Sequence, residues 1–255
     1  MPGCTAIQLA NADFLSSAVG YIPPVRPECA LGAFLLGGAG LASSPVPNLI
    51  VGSAAGTPGG LPVMQPTYES FVKAASYLLT GVTEFLNMTF MVVARAPAGV
   101  TTSGQAVSLI SDYGGASLST AAAFDLGIVS TGLHGYVAAG GAAQVKDLTL
   151  IAGDVTVFQL YAATFTSGVG FTLENLTRGS STTQAFAGAI VADKSRILQI
   201  GSSVGGAGGG TGQVDVAWAQ VWGGDTGSVG ALTPAERQAQ AGNIRAIMAK
   251  RGITV

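Results

Sequence analysis

Carboxylates are the first side chains to consider as catalysts, since two of them about 5 Å apart can cleave a glycosidic bond with retention. Such a pair requires acids that are clustered in the fold, usually on one strand. Asp215 shares its predicted strand face with alanine and valine, so it is interpreted as a hydrogen-bonded structural group. The glutamates considered as partners stand apart from one another: Glu69, Glu84, Glu174 and Glu236. The sequence therefore predicts no carboxylate pair.

Nucleophilic catalysis would have to use His134, which is the only histidine of the chain. It lies between Gly132 and Gly135 in a segment typical of a β-turn, and no Gly-x-Ser-x-Gly motif accompanies it. The glycine-rich segment 205–212 lacks the lysine and the helix of a phosphate-binding loop, so it is interpreted as a flexible connection. The protein is therefore predicted not to be an enzyme and to have no catalytic or cofactor-binding residues.

Metal ligands show no spacing typical of a zinc site. The two cysteines, Cys4 and Cys29, could pair, although assembly in a cytoplasm favours free thiols. The aspartates that could offer calcium ligands from loops are scattered along the chain: Asp112, Asp125, Asp154, Asp193 and Asp225. The sequence predicts no metal site and leaves calcium binding open.

Carbohydrate binding usually needs an aromatic ring that stacks on a sugar, together with polar groups. Trp218 and Trp222 share one predicted strand face with Val214 and Val216, so they are interpreted as core residues. Tyr113, in the segment Ser-Asp-Tyr-Gly-Gly, is the large ring that falls in an evident loop. Tyr136 and Tyr161 are further rings without a predicted place. No glycan-binding residue is assigned from the sequence.

The composition is unusual for a freely diffusing enzyme. Charged residues make up 9% of the 255 residues, against about 25% in typical domains, and 38 residues are glycine. Either the surface is largely covered by neighbours in an assembled particle, or the coding is biased toward alanine and glycine. The net charge of −2 and the lack of a basic cluster argue against nucleic-acid binding.

Targeting signals are not evident in the sequence. The longest apolar run, residues 30–42, is interrupted by glycine and is shorter than the roughly 18 residues that a membrane span requires. The first residues, Met-Pro-Gly-Cys-Thr, lack the basic and apolar regions of a secretory signal. We therefore expect no signal peptide, no membrane insertion and assembly in a host cytoplasm.

The elements that must position these residues are mainly strands. Short apolar segments with a period of two recur between turn residues from residue 48 onward, which predicts an all-β sandwich for 48–255. Residues 1–47 are punctuated by prolines and are predicted to form an irregular arm or attachment segment, with short strands at 5–9 and 19–22. The alternative is an extension that wraps over its own domain.

One helix is predicted, at about residues 234–251. Thr233 is a good N-cap, Pro234 occupies the first helical position, and Glu236 completes a capping box. Lys250 in the last turn and Gly252 after it are typical of a helix end.

The last strand, this Leu-Thr-x-Ala-Glu-Arg helix and the Lys-Arg-Gly-Ile ending resemble a known family. They are similar to the C-terminus of concanavalin A-like (laminin G-type) jelly-roll domains of bacteriophage tail and other virion proteins. The strand at 89–95, the hairpin from 155 to 175 and the segment Ile-Leu-Gln-Ile-Gly-Ser at 197–202 extend the resemblance over residues 48–255. It implies a jelly-roll β-sandwich with a C-terminal α-helix and an irregular N-terminal arm.

The resemblance also implies a function. It points to a bacteriophage virion structural protein of the tail tip, fibre or baseplate that binds the host surface or receptor. By analogy it would be a homotrimer located in the virion, with other virion proteins and a host surface glycan as partners. A capsid decoration protein and a glycan-binding module without catalysis are the alternatives, which the sequence does not separate.

Overall fold

A computed structural model of the chain describes residues 21–38, 44–114, 123–130, 132–138, 145–151, 153–185, 191–204 and 210–255. Two antiparallel sheets and a C-terminal helix account for its regular structure, so the predicted all-β sandwich with a closing helix is confirmed. Among the described residues, no helix has both the length and the apolar character needed to cross a bilayer.

Within the described residues, fifteen strands form the two sheets. In chain order they are β1 (Ala30–Leu35), β2 (Thr57–Gly59), β3 (Val63–Met64), β4 (Glu69–Val72), β5 (Tyr77–Thr83), β6 (Asn87–Arg95), β7 (Val107–Ser111), β8 (Ala123–Val129), β9 (Gly132–Ala138), β10 (Val145–Ile151), β11 (Gln159–Thr166), β12 (Gly170–Asn175), β13 (Ser180–Ala185), β14 (Ile197–Ile200) and β15 (Gln213–Gly224). The helix α1 spans Pro234–Lys250, and short 3-10 turns lie at Pro27–Cys29 and Ser103–Gln105.

The strand order differs between the sheets. The first sheet has the order β13-β12-β11-β6-β15-β4-β3, with β1 also paired to β15, which gives it eight strands. The second sheet has seven strands in the order β10-β9-β8-β7-β14-β5-β2. Strands far apart in the sequence are therefore neighbours, and residues from distant segments meet on one face.

The main hydrophobic core lies between the two sheets. Phe90 of the first sheet stacks on Phe124 of the second with ring centroids 4.3 Å apart, and Phe165 lies 5.1 Å from Phe124. Burial of such rings contributes roughly 25 cal/mol for each Å² of apolar surface removed from water. The alternation of apolar residues in these strands is the reason that each sheet can bury one face here.

A second hydrophobic core joins α1 to the outer face of the first sheet. Trp218 and Trp222 are fully buried in it together with Ile244 and Met248 of the helix. The indole nitrogen of Trp222 donates a hydrogen bond to the carbonyl of Val25 at 3.1 Å. The prediction that the two tryptophans are core residues is confirmed.

The predicted division of the faces of β15 is wrong in one respect. Val214 and Val216 point into the core between the sheets, whereas Trp218 and Trp222 point toward the helix. The pairing of β15 with β6 contains a register shift between Val216 and Trp218. An extra residue at such a bulge moves every later side chain to the opposite face, which a strict period of two does not anticipate.

Part of the predicted arm belongs to the first sheet. Ala30–Leu35 forms β1, which pairs with β15, and Phe34 of this strand is fully buried in the main core. Of the predicted strand at 19–22, Tyr21 makes an isolated parallel bridge to Ile50. The predicted strand at 5–9 lies outside the described residues. Residues 30–35 of the predicted arm thus belong to the sandwich. The boundary between arm and sandwich at residue 47 stays a prediction for the rest of the arm.

Two further elements differ from the sequence-based expectation. Residues 49–53, at the start of the region predicted as a sandwich, form a turn with one bridging residue, Ile50, and no strand. The strand β13 (Ser180–Ala185) was not predicted, because its serine, threonine and glutamine residues show no apolar alternation. It lies at the edge of the first sheet, where exposed polar side chains are tolerated.

The helix begins with the predicted capping box. The amide of Glu236 donates to the Thr233 hydroxyl at 3.3 Å, and the amide of Thr233 donates to the Glu236 carboxylate at 2.8 Å. We expect Thr233→Ala to lower the free energy of unfolding by about 1 kcal/mol, because the Glu236 amide loses its acceptor. Denaturant unfolding measures this, with Thr233→Ser as the control that retains the hydroxyl. A loss equal in both variants would contradict it.

Candidate functional site

The outer face of the second sheet carries a row of polar side chains across four strands. Tyr136 of β9 lies opposite Asp125 of β8, Asp125 lies opposite Ser111 of β7, and Ser111 lies opposite Gln199 of β14. Opposite residues share a face, so with about 4.8 Å between strands the row is about 14 Å long.

His134 belongs to a second row on the same face. It lies opposite Gly127 of β8, which in turn lies opposite Ser108 of β7. The prediction of a β-turn at His134 is wrong, because His134 is in the middle of β9. Gly135 is not a turn residue: a Cβ there would collide with the ring of Phe171. Packing against the opposite sheet is therefore the reason for a glycine at this position.

Tyr113 follows β7 directly and packs against Tyr136. The ring centroids are 4.9 Å apart at an interplanar angle of 66°, and both rings are half-buried above Ala123. The amide of Tyr113 donates to the Ser111 hydroxyl at 3.0 Å, and its carbonyl accepts from the amide of Val204 at 2.9 Å. Tyr113 was the loop ring that the sequence indicated. Tyr136 could not be placed beside it without the strand register.

Among the described residues, Oδ1 of Asp125, Oγ of Ser108 and Oε1 of Gln199 are buried on this face and have no hydrogen-bond partner. Leaving a buried acceptor unsatisfied costs about 1–3 kcal/mol, so such atoms commonly meet water or a ligand. A half-buried aromatic pair at the end of a polar row is an arrangement that suits a ligand with both a C–H face and hydroxyl groups.

An acidic cluster lies at the end of the second sheet beside Tyr113. The amide of Asp193 donates to Oε2 of Glu84 at 2.8 Å, and Arg196 pairs with Asp193 at 3.0 Å. Asp112 accepts a hydrogen bond from the amide of Phe124 at 2.6 Å. The interpretation that Glu84 stands isolated and that Asp112 and Asp193 are scattered is corrected here. The adjacent positions of β5, β14 and β7 bring them together.

Burial dominates the electrostatics of this cluster. It raises the pKa of Glu84 and the pKa of Asp112, and the charge of Asp112 raises the pKa of Glu84 further. Oε1 of Glu84 and Oδ2 of Asp112 are buried and have no hydrogen-bond partner in the part of the chain that the structure describes. Over the described part of the chain, no three His, Cys, Asp or Glu residues are arranged to hold a metal ion. Buried as they are, these carboxyl oxygens do not face a ligand on the open part of the sheet.

The other acids considered from the sequence have structural roles. Asp215 accepts a hydrogen bond from Ser70 at 2.6 Å and pairs with Arg95 at 2.9 Å, which confirms the prediction of a hydrogen-bonded structural group. The remaining pairs do not converge: Glu174 with Arg237, Glu236 with Arg26, Asp225 with Lys194, and Asp154 with Thr156. Glu69 is fully buried, and neither of its carboxyl oxygens has a hydrogen-bond partner among the described residues.

A second aromatic cluster, at the first sheet, is covered by the side chain of Arg95. The guanidinium carbon of Arg95 lies 5.0 Å from the ring centre of Tyr68 and 4.7 Å from that of Phe158. Since Arg95 covers both rings, this cluster suits a sugar less well than the Tyr113–Tyr136 pair does.

Two sequence motifs contribute nothing further to the site. Cys29 is a buried, free thiol whose burial raises its pKa, while Cys4 lies outside the described residues. Of the glycine-rich segment, residues 205–209 also lie outside the described residues.

The fold is shared with binding domains of botulinum neurotoxins. The binding domain of botulinum neurotoxin DC in complex with SialylT matches with a TM-score of 0.59 and 7% identity, over 85% of this chain and 51% of that chain. The receptor binding domain of botulinum neurotoxin D matches with a TM-score of 0.61 and 8% identity, over 85% of this chain and 53% of that chain. The serotype D ligand binding domain in complex with N-acetylneuraminic acid matches with a TM-score of 0.60 and 8% identity, over 86% of this chain and 52% of that chain.

These likenesses show the fold alone, because the identities are so low. The chain spans about half the length of the structures it matches. No model of a known protein family matches the sequence, and no curated protein is similar to it. The comparisons therefore give this chain a β-sandwich fold that is also found in receptor-binding domains.

Proposed function

We propose that this protein is a glycan-binding module without catalytic activity, and that it binds at Tyr113 and Tyr136 on the outer face of the second sheet. The observation that carries the proposal is the half-buried tyrosine pair at the end of the polar row on this face, with Asp125 opposite Tyr136. The solved structures of similar fold add support, since they are ligand- and receptor-binding domains rather than catalytic ones. Their ligands are properties of longer chains and are extended to this chain only as a proposal.

The binding mode follows from the geometry of the face. A sugar ring places its C–H face against Tyr113 or Tyr136, which replaces water by apolar contact. Its hydroxyl groups then lie toward Asp125, the residue opposite Tyr136 on this face. Since a carboxylate accepts hydrogen bonds and does not donate them, Asp125 favours sugar hydroxyl groups over sugar carboxylates.

A glycan array followed by titration tests the proposal. We expect Tyr113→Ala to weaken binding of the best glycan by at least about tenfold, because tenfold corresponds to the 1.4 kcal/mol that loss of one stacked ring typically exceeds at a binding hot spot. Tyr68→Ala, at a half-buried tyrosine of the first sheet, is the matched control and should bind as the wild type does. Wild-type protein that binds no glycan would refute the function. Equal binding by Tyr113→Ala would refute the site.

The biological setting of this module is a separate part of the proposal. The resemblance of its last strand and helix to phage domains, together with the low charge, supports a bacteriophage virion component of the tail tip, fibre or baseplate. In that setting it recognises a host surface glycan as a concanavalin A-like homotrimer. Cryo-electron microscopy of the particle should show an outward-pointing oligomer at a tail extremity. A position on the capsid lattice favours the decoration alternative, and a free monomer refutes the virion setting.

A further inference from the structure

A small cleft lies between β1 of the first sheet and β5 of the second, and we refer to it as the β1–β5 cleft. Leu31 lines it from β1 and Thr80–Thr83 line it from β5, while Asn48, Ser53 and Ala54 line it from the connecting loop. Its volume is about 240 Å³. Pockets for drug-sized molecules have roughly 300–1,000 Å³, so the β1–β5 cleft suits a ligand of one small ring.

Both strands that line the cleft are irregular at this place. The pairing of β1 with β15 shifts its register at Leu31. The pairing of β5 with β14 shifts between Leu79 and Thr83, and Gly81 between them has a φ of 75°. The edge strand β2 pairs with β5 no further than Leu79. Bulges often redirect side chains beside binding sites, and here two of them adjoin one cleft.

The lining of the cleft combines carbon surface with hydroxyl groups. Leu31, Val82 and Phe85 provide the carbon surface, and Ser53 and Thr83 contribute hydroxyl-bearing side chains. All the described residues that line the cleft are uncharged. A small neutral ligand with an apolar side and several hydroxyl groups matches such a lining, because each of its parts meets a group of the same kind.

Hydrogen bonds hold the walls of the cleft in place. Oδ1 of Asn48 accepts from the amide of Ala33 at 3.0 Å, and Nδ2 of Asn48 donates to the carbonyl of Leu31 at 3.2 Å. On the other side, the hydroxyl of Thr80 accepts from the amide of Val82 at 3.1 Å. A cleft that is already formed costs a ligand little ordering entropy on binding.

One charged side chain packs against the lining. Nζ of Lys194 lies 3.4 Å from the centre of the Phe85 ring and pairs with Asp225 at 3.0 Å. Lys194 thereby covers one face of the ring, and its charge is offset by Asp225. A carboxylate in the cleft would lose its water without meeting an unpaired cation, so the cleft favours neutral ligands.

We propose that the β1–β5 cleft binds one neutral sugar ring, as a second carbohydrate site of this module. The C–H face of the ring packs against Leu31 and Val82, and its hydroxyl groups bond to Ser53 and Thr83. The choice of a sugar rests on the proposed function, whereas the size and neutrality of the ligand follow from the cleft itself. The cleft shares no residue with the Tyr113–Tyr136 site, so each site can be removed without the other.

A titration followed by nuclear magnetic resonance tests the proposal, with the methyl glycosides of glucose, galactose and mannose as probes. We expect the amide signal of Gly81 to shift with a Kd of about 1 mM for at least one of them, as for a ligand of about 13 non-hydrogen atoms. Glucuronate should bind at least about tenfold more weakly, because its carboxylate finds no free cation. An unchanged Gly81 signal at about 50 mM of every glycoside overturns the proposal.

Ala54→Trp is expected to fill the cleft and to weaken this binding at least about tenfold. A Cβ at Gly81 would lie 3.4 Å from the Cβ of Ala54, so the two residues face each other closely. Ala55→Trp, at the next exposed residue outside the lining, is the matched control and should bind as the wild type does. Equal binding by Ala54→Trp and Ala55→Trp overturns the site.

Thr83→Val serves as a second variant, which removes a hydroxyl group and keeps the shape of the side chain. Loss of one hydrogen bond should raise the Kd about threefold to tenfold, and an unchanged Kd contradicts the assigned contact.

Tyr113→Ala separates this proposal from the preceding one, because it should leave the Gly81 shift unchanged. A Gly81 shift that persists in this variant supports the cleft, even if no glycan binds at Tyr113. Tyr113 ring signals that respond to a sugar while Gly81 does not overturn the cleft and leave the proposed function intact. A protein that binds no glycan on the array and no glycoside in the titration refutes both.

Discussion

Replacing Arg237 with methionine is expected to lower the free energy of unfolding by about 3–5 kcal/mol. Arg237 is 4% exposed, and its guanidinium bonds to the Glu174 carboxylate, the Leu232 carbonyl and the Thr164 hydroxyl. The change leaves the carboxylate of Glu174 buried at the junction of α1 and the first sheet without its cation. Breaking a buried pair from one side costs far more than the pair itself contributes.

Two control variants make this experiment specific. In Arg237→Met combined with Glu174→Leu, both charges are replaced by apolar groups, so we expect most of the lost stability to return. Arg26→Met breaks the more exposed pair with Glu236 and should cost at most about 1 kcal/mol. Urea unfolding followed by circular dichroism measures all three variants. A loss below about 1 kcal/mol in Arg237→Met would contradict a docking role for the pair.

The Arg237–Glu174 pair also illustrates what the sequence could not predict. Thr233, Pro234 and Glu236 are signals within one turn of helix, so the start of α1 could be predicted from neighbouring residues. Glu174 lies 63 residues before Arg237, and only the packing of α1 on β12 brings them together. The same limit applies to Glu84 and Asp112, which follow β5 and β7 and come to the same end of the second sheet because both strands flank β14.

The strands were predictable to the extent that they bury one face. β6 and β12 alternate or concentrate apolar residues against the core, and they lie at the strand predicted at 89–95 and in the hairpin predicted at 155–175. The bulge in β15 and the polar edge strand β13 depend on pairing partners that leave no local pattern. At the site, Tyr113 was indicated by its glycine neighbours. Its partner Tyr136 required the register of β8 and β9.

Stability is expected to fall as the pH rises from about 4.5 to about 7, because Glu69 is buried and its carboxyl group has no partner in the described ranges. Burial raises its pKa from 4.5 to about 7, so the folded state binds more protons than the unfolded state between these values. The penalty is absent below the unfolded pKa and complete above the folded one. With 1.36 kcal/mol for each pKa unit, it reaches at most about 3 kcal/mol.

Other acidic groups also change the free energy of unfolding with pH, some at higher and some at lower pH. The raised pKa values of Glu84 and Asp112 act in the same direction as that of Glu69 and extend the loss of stability to higher pH. Asp193 and Glu236 have lowered pKa values, owing first to their hydrogen bonds with Ser195 and Arg26. Their contributions are present above the unfolded pKa values and are lost on further acidification. We therefore expect maximal stability in mildly acidic solution.

Glu69→Gln separates the contribution of Glu69 from the others. The glutamine is nearly isosteric with the protonated acid, so the variant should match the wild type at pH 4.5 and be more stable at pH 8. Urea unfolding across this range measures the difference, and Glu28→Gln at an exposed acid should leave the profile unchanged. An identical pH slope in Glu69→Gln and wild type would show that Glu69 ionises without cost, which requires a partner or water at its carboxyl group. Because β4 lies beside the short edge strand β3, that water would have to enter from this edge of the sheet.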